Sequence, residues 1–150
     1  MKYLGLDLGS RTLGIAVSDS TGLIASTYKT IRHEEEYERL LEEVKQLVEE
    51  LKIEGIVLGF PKNMNNTIGP KGELSLEFKE KLEKLVTIPV YLQDERLTTK
   101  SATDTLIMGN VSRKNRKKVV DSVAATIILQ TFLDKERNKN KIWKKIHSQW

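Results

Sequence analysis

The spacing of apolar residues along the chain predicts three short strands and then a regular alternation of helices and strands. Apolar runs bounded by small or polar residues predict strands at Lys2–Leu8, Gly14–Ser18 and Leu23–Ile31. The short turns between them predict an antiparallel meander. From Tyr37 onward the apolar residues recur every three or four positions, which predicts a long amphipathic helix over residues 34–52.

The same pattern continues through the second half of the chain. Strands are predicted at Ile53–Phe60 and Ile88–Leu92, and helices at Glu73–Val86, Leu97–Met108 and Lys118–Leu133. Strands joined through helices pair in parallel by right-handed crossovers. We therefore expect an α/β fold with one mixed five-stranded sheet, formed by the meander and two crossover strands, and with helices on both faces.

Composition and charge narrow the functional classes. The 150 residues contain no cysteine, no apolar run long enough for a membrane span and no pattern of a signal peptide, so we expect a cytoplasmic protein without a membrane partner. Residues 111–150 carry a net charge of +8 and residues 1–110 a net charge of −4. This asymmetry indicates either a polyanionic partner or a solvated tail. We predict one domain over residues 1–134 and a basic tail over residues 135–150.

Three acidic positions stand out against these elements. Asp7 interrupts the leucines of the first strand, Asp94-Glu95 follows a crossover strand, and Asp121 lies near the start of an alanine-rich helix. Each has an ordinary explanation. Asp7 could pair with Arg11 or Lys62 or cap a turn. Asp94-Glu95 could cap the next helix, and Asp121 could contact the helix dipole or pair with Lys117 or Lys118.

Taken together, the acidic positions favour a metal site. Carboxylates that converge from two strands and a helix repel one another unless a cation lies between them. Hard oxygen ligands suit Mg²⁺ or Mn²⁺, and such ions commonly activate water for phosphodiester hydrolysis. The hypothesis is therefore that Asp7 is a metal ligand of a nuclease.

Basic side chains near these acids are candidates for holding substrate phosphates. The alternatives are that Arg96 forms an ion pair that orients an acid, and that the basic loop at residues 112–118 only aids solubility. His33 and His147 have no metal-ligating partner at useful spacing, so both are expected to be solvated. The candidate substrate-binding residues are Arg11, Lys62, Arg96, Lys100, Arg113, Lys114, Arg116 and Lys117.

Four motifs in order resemble the YqgF/RuvX family of small bacterial proteins: GLDLGSRTLGIAVSD, GFPKNMNNTIGP, DERLTT and VDSVAATIIL. The resemblance covers residues 1–133 and implies a ribonuclease H-like fold. It also implies that Asp7, Glu95 and Asp121 are metal-binding catalytic acids, with a divalent ion as cofactor. The implied activity is processing of the 5′ end of pre-16S rRNA, with RNA favoured over DNA and the pre-ribosomal particle as a further partner.

Three other functions remain open at this point. An ATP-binding domain of the actin-like type begins with a similar hairpin, but it needs a second such hairpin, which this chain lacks. A protein that binds RNA or the ribosome without catalysis would not need the buried acids. A Holliday junction resolvase acting on branched DNA would use the same chemistry on another substrate.

Overall fold

One mixed sheet of five strands forms the centre of the molecule. The computed structural model describes residues 1–61, 68–94 and 123–139. The strands lie side by side in the order β3-β2-β1-β4-β5. Neighbours within the β1–β3 meander pair antiparallel, whereas β4 pairs in parallel with both β1 and β5. The strands are β1 Tyr3–Leu8, β2 Thr12–Ser18, β3 Ala25–Arg32, β4 Gly55–Phe60 and β5 Val90–Asp94.

Helices cover both faces of this sheet, so the predicted architecture is confirmed. Helices α1 (Tyr37–Glu50) and α2 (Pro70–Leu85) pack on one face, which we call the α1/α2 face. The helical residues 123–139, named α3, pack on the opposite face, the α3 face. Because side chains alternate along a strand, β1 sends Leu4, Leu6 and Leu8 into the core under α1 and α2.

Two helices begin at other residues than the sequence pattern predicts. Helix α1 begins at Tyr37 because Glu35 has a φ of 66°, a left-handed conformation that interrupts a right-handed helix. Helix α2 begins at Pro70, three residues before the predicted start, with Gly69 as its N-cap. Proline suits the first turn of a helix because its fixed φ is helical and no amide hydrogen is needed there.

Helix α3 continues beyond its predicted end. The helical residues run without a break through Asp134 to residue 139, so they cross the predicted boundary between domain and tail. The predicted helix at Leu97–Met108 lies outside the described residues, as does the rest of the tail. Within the described segments, no helix has the length and apolar character needed to cross a bilayer.

The C-terminus of α1 allows a first stability prediction. Lys52 has a φ of 54°, and the amide of Ile53 donates a hydrogen bond to the carbonyl of Val48 at 3.0 Å, which is a Schellman motif. Glycine adopts this conformation without the steric cost of a Cβ. We therefore expect Lys52→Gly to raise the free energy of unfolding by about 0.5–1 kcal/mol. Urea denaturation measures this change.

The same substitution inside the helix is the matched control. We expect Lys45→Gly, in the middle of α1, to lower the free energy of unfolding by about 1 kcal/mol. Equal destabilisation by both variants would contradict the explanation from backbone conformation.

Candidate active site

Asp7 lies on the face of β1 that turns away from the main core. It stands between Leu6 and Leu8, which are buried on the α1/α2 face, and it is itself only half-buried. Strand alternation therefore directs its carboxylate toward the α3 face. The same face carries Gly5, where an added Cβ would lie 2.8 Å from the Cβ of Leu129 in α3. The Asp7 carboxylate therefore does not disturb the apolar core on the α1/α2 face, because it lies on the other side of the sheet.

Glycines flank Asp7 on both neighbouring strands. Gly14 of β2 is its direct antiparallel partner. On β4, Gly59 follows Leu58, the residue that pairs with Leu6, and Gly59 in turn pairs with Gln93 of β5. Paired residues share a face, so the row through Asp7 has no side chain immediately on either side of the carboxylate. The buried Gln93 is a neighbour of the site that sequence reasoning missed.

Two described segments stop close in sequence to the other predicted acids: β5 ends one residue before Glu95, and the described part of α3 begins two residues after Asp121. Strand β5 ends at Asp94, which pairs with Phe60, rather than at Leu92 as predicted. Asp94 is thus a strand residue. Glu95, the next residue, lies outside the described residues.

Helix α3 runs antiparallel to β1 across the α3 face. The ring of Phe132 lies 5.5 Å from that of Tyr3 at the amino end of β1. Toward the carboxyl end, the carbonyl of Ala125 lies 3.1 Å from the position of a Cβ on Gly5. The described start of α3 is therefore the part of the helix nearest to the end of β1 that carries Asp7. Asp121 lies outside the described residues.

Arg11 is exposed in the turn between β1 and β2. Its carbonyl accepts a hydrogen bond from the amide of His33 at 2.9 Å, and the amide of Gly9 donates to the carbonyl of Thr12 at 2.8 Å. The turn is thus held by backbone bonds and leaves the guanidinium at the surface near the end of β1. The other predicted substrate-binding residues lie outside the described residues: Lys62, Arg96, Lys100, Arg113, Lys114, Arg116 and Lys117.

The expectation that His33 is solvated is wrong. Its side chain is 4% exposed, and its Nε2 lies 3.0 Å from the carbonyl of Gly9. The amide of Glu35 donates to Nδ1 at 3.0 Å, so in the neutral ring the proton is on Nε2 and is donated to Gly9. His33 therefore ties the turn after Asp7 to the start of α1. Its partner lies 24 residues away in the chain, and no local pattern predicts such a bond.

Truncation of His33 provides a second stability prediction. His33→Ala leaves the Gly9 carbonyl and the Glu35 amide without partners, so we expect the free energy of unfolding to fall by about 2–4 kcal/mol. The midpoint of urea denaturation measures it. His33→Gln retains an amide donor and acceptor and should lose less. An unchanged midpoint for His33→Ala would show that these two bonds do not contribute to stability.

Asp19, the acid that directly follows β2, has a structural role. It caps the β2–β3 turn, where its carboxylate accepts hydrogen bonds from the Thr21 hydroxyl at 2.6 Å and from the amides of Leu23 and Ile24. The Thr21 hydroxyl and these amides lower the pKa of Asp19. Because β2 runs antiparallel to β1, this turn lies at the opposite end of the sheet from the Asp7 carboxylate.

A metal site built only from the described residues is absent: they contain no cluster of three or more acidic, histidine or cysteine side chains suited to an ion. Asp7 is one of the three acids that the sequence predicts as ligands. Its oxygen chemistry and half-buried position suit a hard divalent cation.

Comparison with known sequences identifies the family. A family model described as "RuvX: Holliday junction resolvase" matches residues 1–135. The chain belongs to the RuvX family. It is therefore a nuclease by family, its substrate class is nucleic acid, and nucleases of this kind generally depend on a divalent metal ion.

Curated relatives of this RuvX-family chain match it along nearly their whole length. A protein of Listeria monocytogenes and one of Bacillus subtilis are each 50% identical over 135 residues, covering 89% of this chain and 98% of the relative. A protein of Clostridium botulinum is 47% identical over 135 residues, covering 90% and 98%. All three carry the name "Putative pre-16S rRNA nuclease".

Solved structures support the fold of this RuvX-family member. Thermus thermophilus RuvC in complex with a Holliday junction substrate matches with a TM-score of 0.56 and 18% identity, covering 85% of this chain and 91% of RuvC. A second structure of the same protein gives a TM-score of 0.53. At this identity the likeness shows a shared ribonuclease H-like fold, which confirms the predicted fold class.

Proposed function

We propose that the protein hydrolyses phosphodiester bonds at a metal site formed by Asp7, Glu95 and Asp121. The observation that carries this proposal is the position of Asp7, which projects from the α3 face, half-buried, between the bare backbones of Gly14 and Gly59. A structural ion pair would not require glycines on both sides. A nucleic-acid backbone that approaches a bound ion does need such space.

The described ends of β5 and α3 support the assignment of the other two acids. Glu95 directly follows Asp94, the last residue of β5. Because β1 and β5 both pair in parallel with β4, Asp94 and Asp7 lie near the same end of the sheet. Asp121 comes one helical turn before Ala125. One turn rises about 5.4 Å, close to the roughly 7 Å that separate Gly5 from Asp7 along β1. A helix continued backward by one turn would bring Asp121 level with Asp7.

Carboxylate oxygens from these three residues match the ligand preference of Mg²⁺ and Mn²⁺. The bound ion would supply an activated water and stabilise charge at the reacting phosphate. The chain itself would hold the ion through the acids and would hold the substrate through basic side chains. Arg11 is the one described member of the substrate-binding set, and its exposed guanidinium is free to contact a phosphate.

The proposed substrate is the 5′ end of pre-16S rRNA, met in the cytoplasm on the pre-ribosomal particle. The support is the name of relatives that are about 50% identical and span nearly the same length. In this proposal residues 1–134 form the nuclease domain and the basic residues 135–150 add affinity for RNA. The charge of +8 over residues 111–150 favours a polyanion over a neutral partner.

Branched DNA is the second candidate substrate. It is favoured by the description of the family as Holliday junction resolvases. The fold shared with RuvC is compatible with both substrates.

A cleavage panel tests the proposal. The wild-type protein is incubated with end-labelled pre-16S 5′ fragment, single-stranded DNA and a four-way junction, with Mg²⁺ or Mn²⁺ or with EDTA. We expect metal-dependent cleavage of the RNA. Cleavage of the junction alone would favour the DNA substrate. Binding of RNA without any cleavage would overturn the nuclease proposal and favour a binding protein without catalysis.

A further inference from the structure

The edge strand β3 ends in an arginine that the sequence pattern did not single out. Arg32 is the last residue of β3 and pairs with Thr12 of β2. Two residues earlier, Thr30 pairs with Gly14, the residue that pairs with Asp7. Across the meander, Gly14 is therefore the one residue between Asp7 of β1 and Thr30 of β3, near the end of β3 that carries Arg32.

Arg32 shares the α3 face with Asp7. Residues that pair directly share a face, so Asp7, Gly14 and Thr30 lie on the same side of the sheet, and Arg32, two residues beyond Thr30, lies there too. Ile31, between them, packs into the core on the other side. From strand spacing and rise, the Cα atoms of Arg32 and Asp7 are separated by about 12 Å. An arginine side chain reaches over much of that distance.

The charge of Arg32 is not neutralised within the described part of the chain. Arg39 binds Glu36 at 2.8 Å, and Arg137 contacts Asp134 at 3.4 Å. Arg39 also donates to the carbonyl of Arg32 at 3.0 Å, but its own charge is paired. Arg32 and Arg11 form no ion pair with any described carboxylate. The nearest acidic run is Glu34–Glu36, and its last member is engaged by Arg39.

We infer that Arg32 binds a backbone phosphate of the substrate strand at a position removed from the cleaved bond. The strand would run from Asp7 over the bare backbone of Gly14 to the β3 edge. Exposed arginine forms charge-assisted, bidentate bonds with phosphate, and an edge strand leaves room for an extended chain above it. Arg32 is thus a substrate-binding residue that holds the strand at the β3 edge, away from the reacting bond. This inference rests on the proposed nuclease function.

The kinetics of single variants test this role. Single-stranded RNA from the pre-16S 5′ region is cleaved in Mg²⁺ by wild type and by Arg32→Ala. We expect KM to rise about 3- to 10-fold while kcat stays within about twofold, because a phosphate contact away from the reacting bond contributes to binding alone. Arg32→Lys keeps the charge and should recover most of the loss.

Lys29→Ala is the matched control. Lys29 is an exposed cation on the same strand, but it pairs with Ile15 and belongs to the opposite face. Its removal should leave KM unchanged. An equal rise in KM for Lys29→Ala and Arg32→Ala would overturn the inference in favour of general charge attraction. A fall in kcat with unchanged KM would overturn it as well.

Direct binding separates this inference from the nuclease proposal. Fluorescence anisotropy with the same RNA in EDTA gives the dissociation constant at several salt concentrations. Loss of one phosphate contact on a single strand lowers the slope of log K against log salt by about 0.7. This readout applies even if the wild-type protein cuts nothing, in which case only the catalytic proposal fails. An unchanged slope and affinity for Arg32→Ala would refute the contact.

Discussion

Replacing Asp7 by asparagine should lower the rate of phosphodiester cleavage by at least about 100-fold while the protein stays folded. Asparagine has the same shape as aspartate, so it fits between Gly14 and Gly59, but it lacks the charge that holds a divalent ion. Changes to groups that only support a metal ligand already cost about 10- to 100-fold, and the loss of a direct ligand should cost more. Single-turnover cleavage in Mg²⁺ measures the rate, and circular dichroism verifies the fold.

Asp19→Asn is the matched control for this experiment. Asp19 follows the apolar strand β2 and caps the β2–β3 turn at the other end of the sheet. Its substitution should weaken that turn without changing the cleavage rate per folded molecule. If Asp7→Asn retains full activity, Asp7 is not a metal ligand. If both variants lose activity alike, the effect is general and says nothing about metal binding.

Gly5→Ala should disturb both stability and activity because α3 lies directly on Gly5. A Cβ at this position would lie 2.8 Å from the Cβ of Leu129 and 3.1 Å from the carbonyl of Ala125, so the helix must move away from the sheet. Overpacking of this kind costs about 1–3 kcal/mol. Because Asp121 is proposed to act from the same helix, we expect kcat to fall by about 10- to 100-fold. Urea denaturation and cleavage kinetics measure the two effects.

A second crowded glycine distinguishes the effect on the site from the effect on stability. A Cβ on Gly55 would lie 2.7 Å from the ring of Tyr3, at the amino end of β1 and away from Asp7. At Gly55 the crowding atoms belong to the end of a side chain, whereas at Gly5 they are a Cβ and a backbone oxygen of α3. Gly55→Ala should therefore leave kcat unchanged even if stability falls. Should Gly5→Ala lower stability alone, α3 would not position a catalytic group.

The two faces of the sheet differ in charge and therefore in their suitability for binding a polyanion. The α1/α2 face holds the large apolar core, and residues 34–54 on that side carry nine acidic and three basic residues. A polyanion is repelled from such a surface. The α3 face presents Asp7 and Arg32, and Arg11 lies exposed in the turn at the same end of the sheet. Substrate binding to the α3 face is consistent with this asymmetry.

Much of the fold was predictable from the sequence because its determinants are local. Apolar spacing distinguished strands from helices, and the alternation of Leu4, Leu6 and Leu8 with Gly5 and Asp7 already separates the two faces of β1. Four motifs in order along the chain, each local in sequence, likewise led to the family, which the family model over residues 1–135 confirms. These conclusions depend on residues close together in the chain.

Other features were decided only by contacts between distant segments. His33 is buried because the carbonyl of Gly9 and the turn at Glu35 close around it. Arg32 joins the face of Asp7 only through the register of three strands. Spacing along the chain determined which side chains share a face within one strand or helix. Pairing and packing between segments far apart in sequence determined which of those side chains meet, since hydrogen-bond register and helix position are properties of the folded chain.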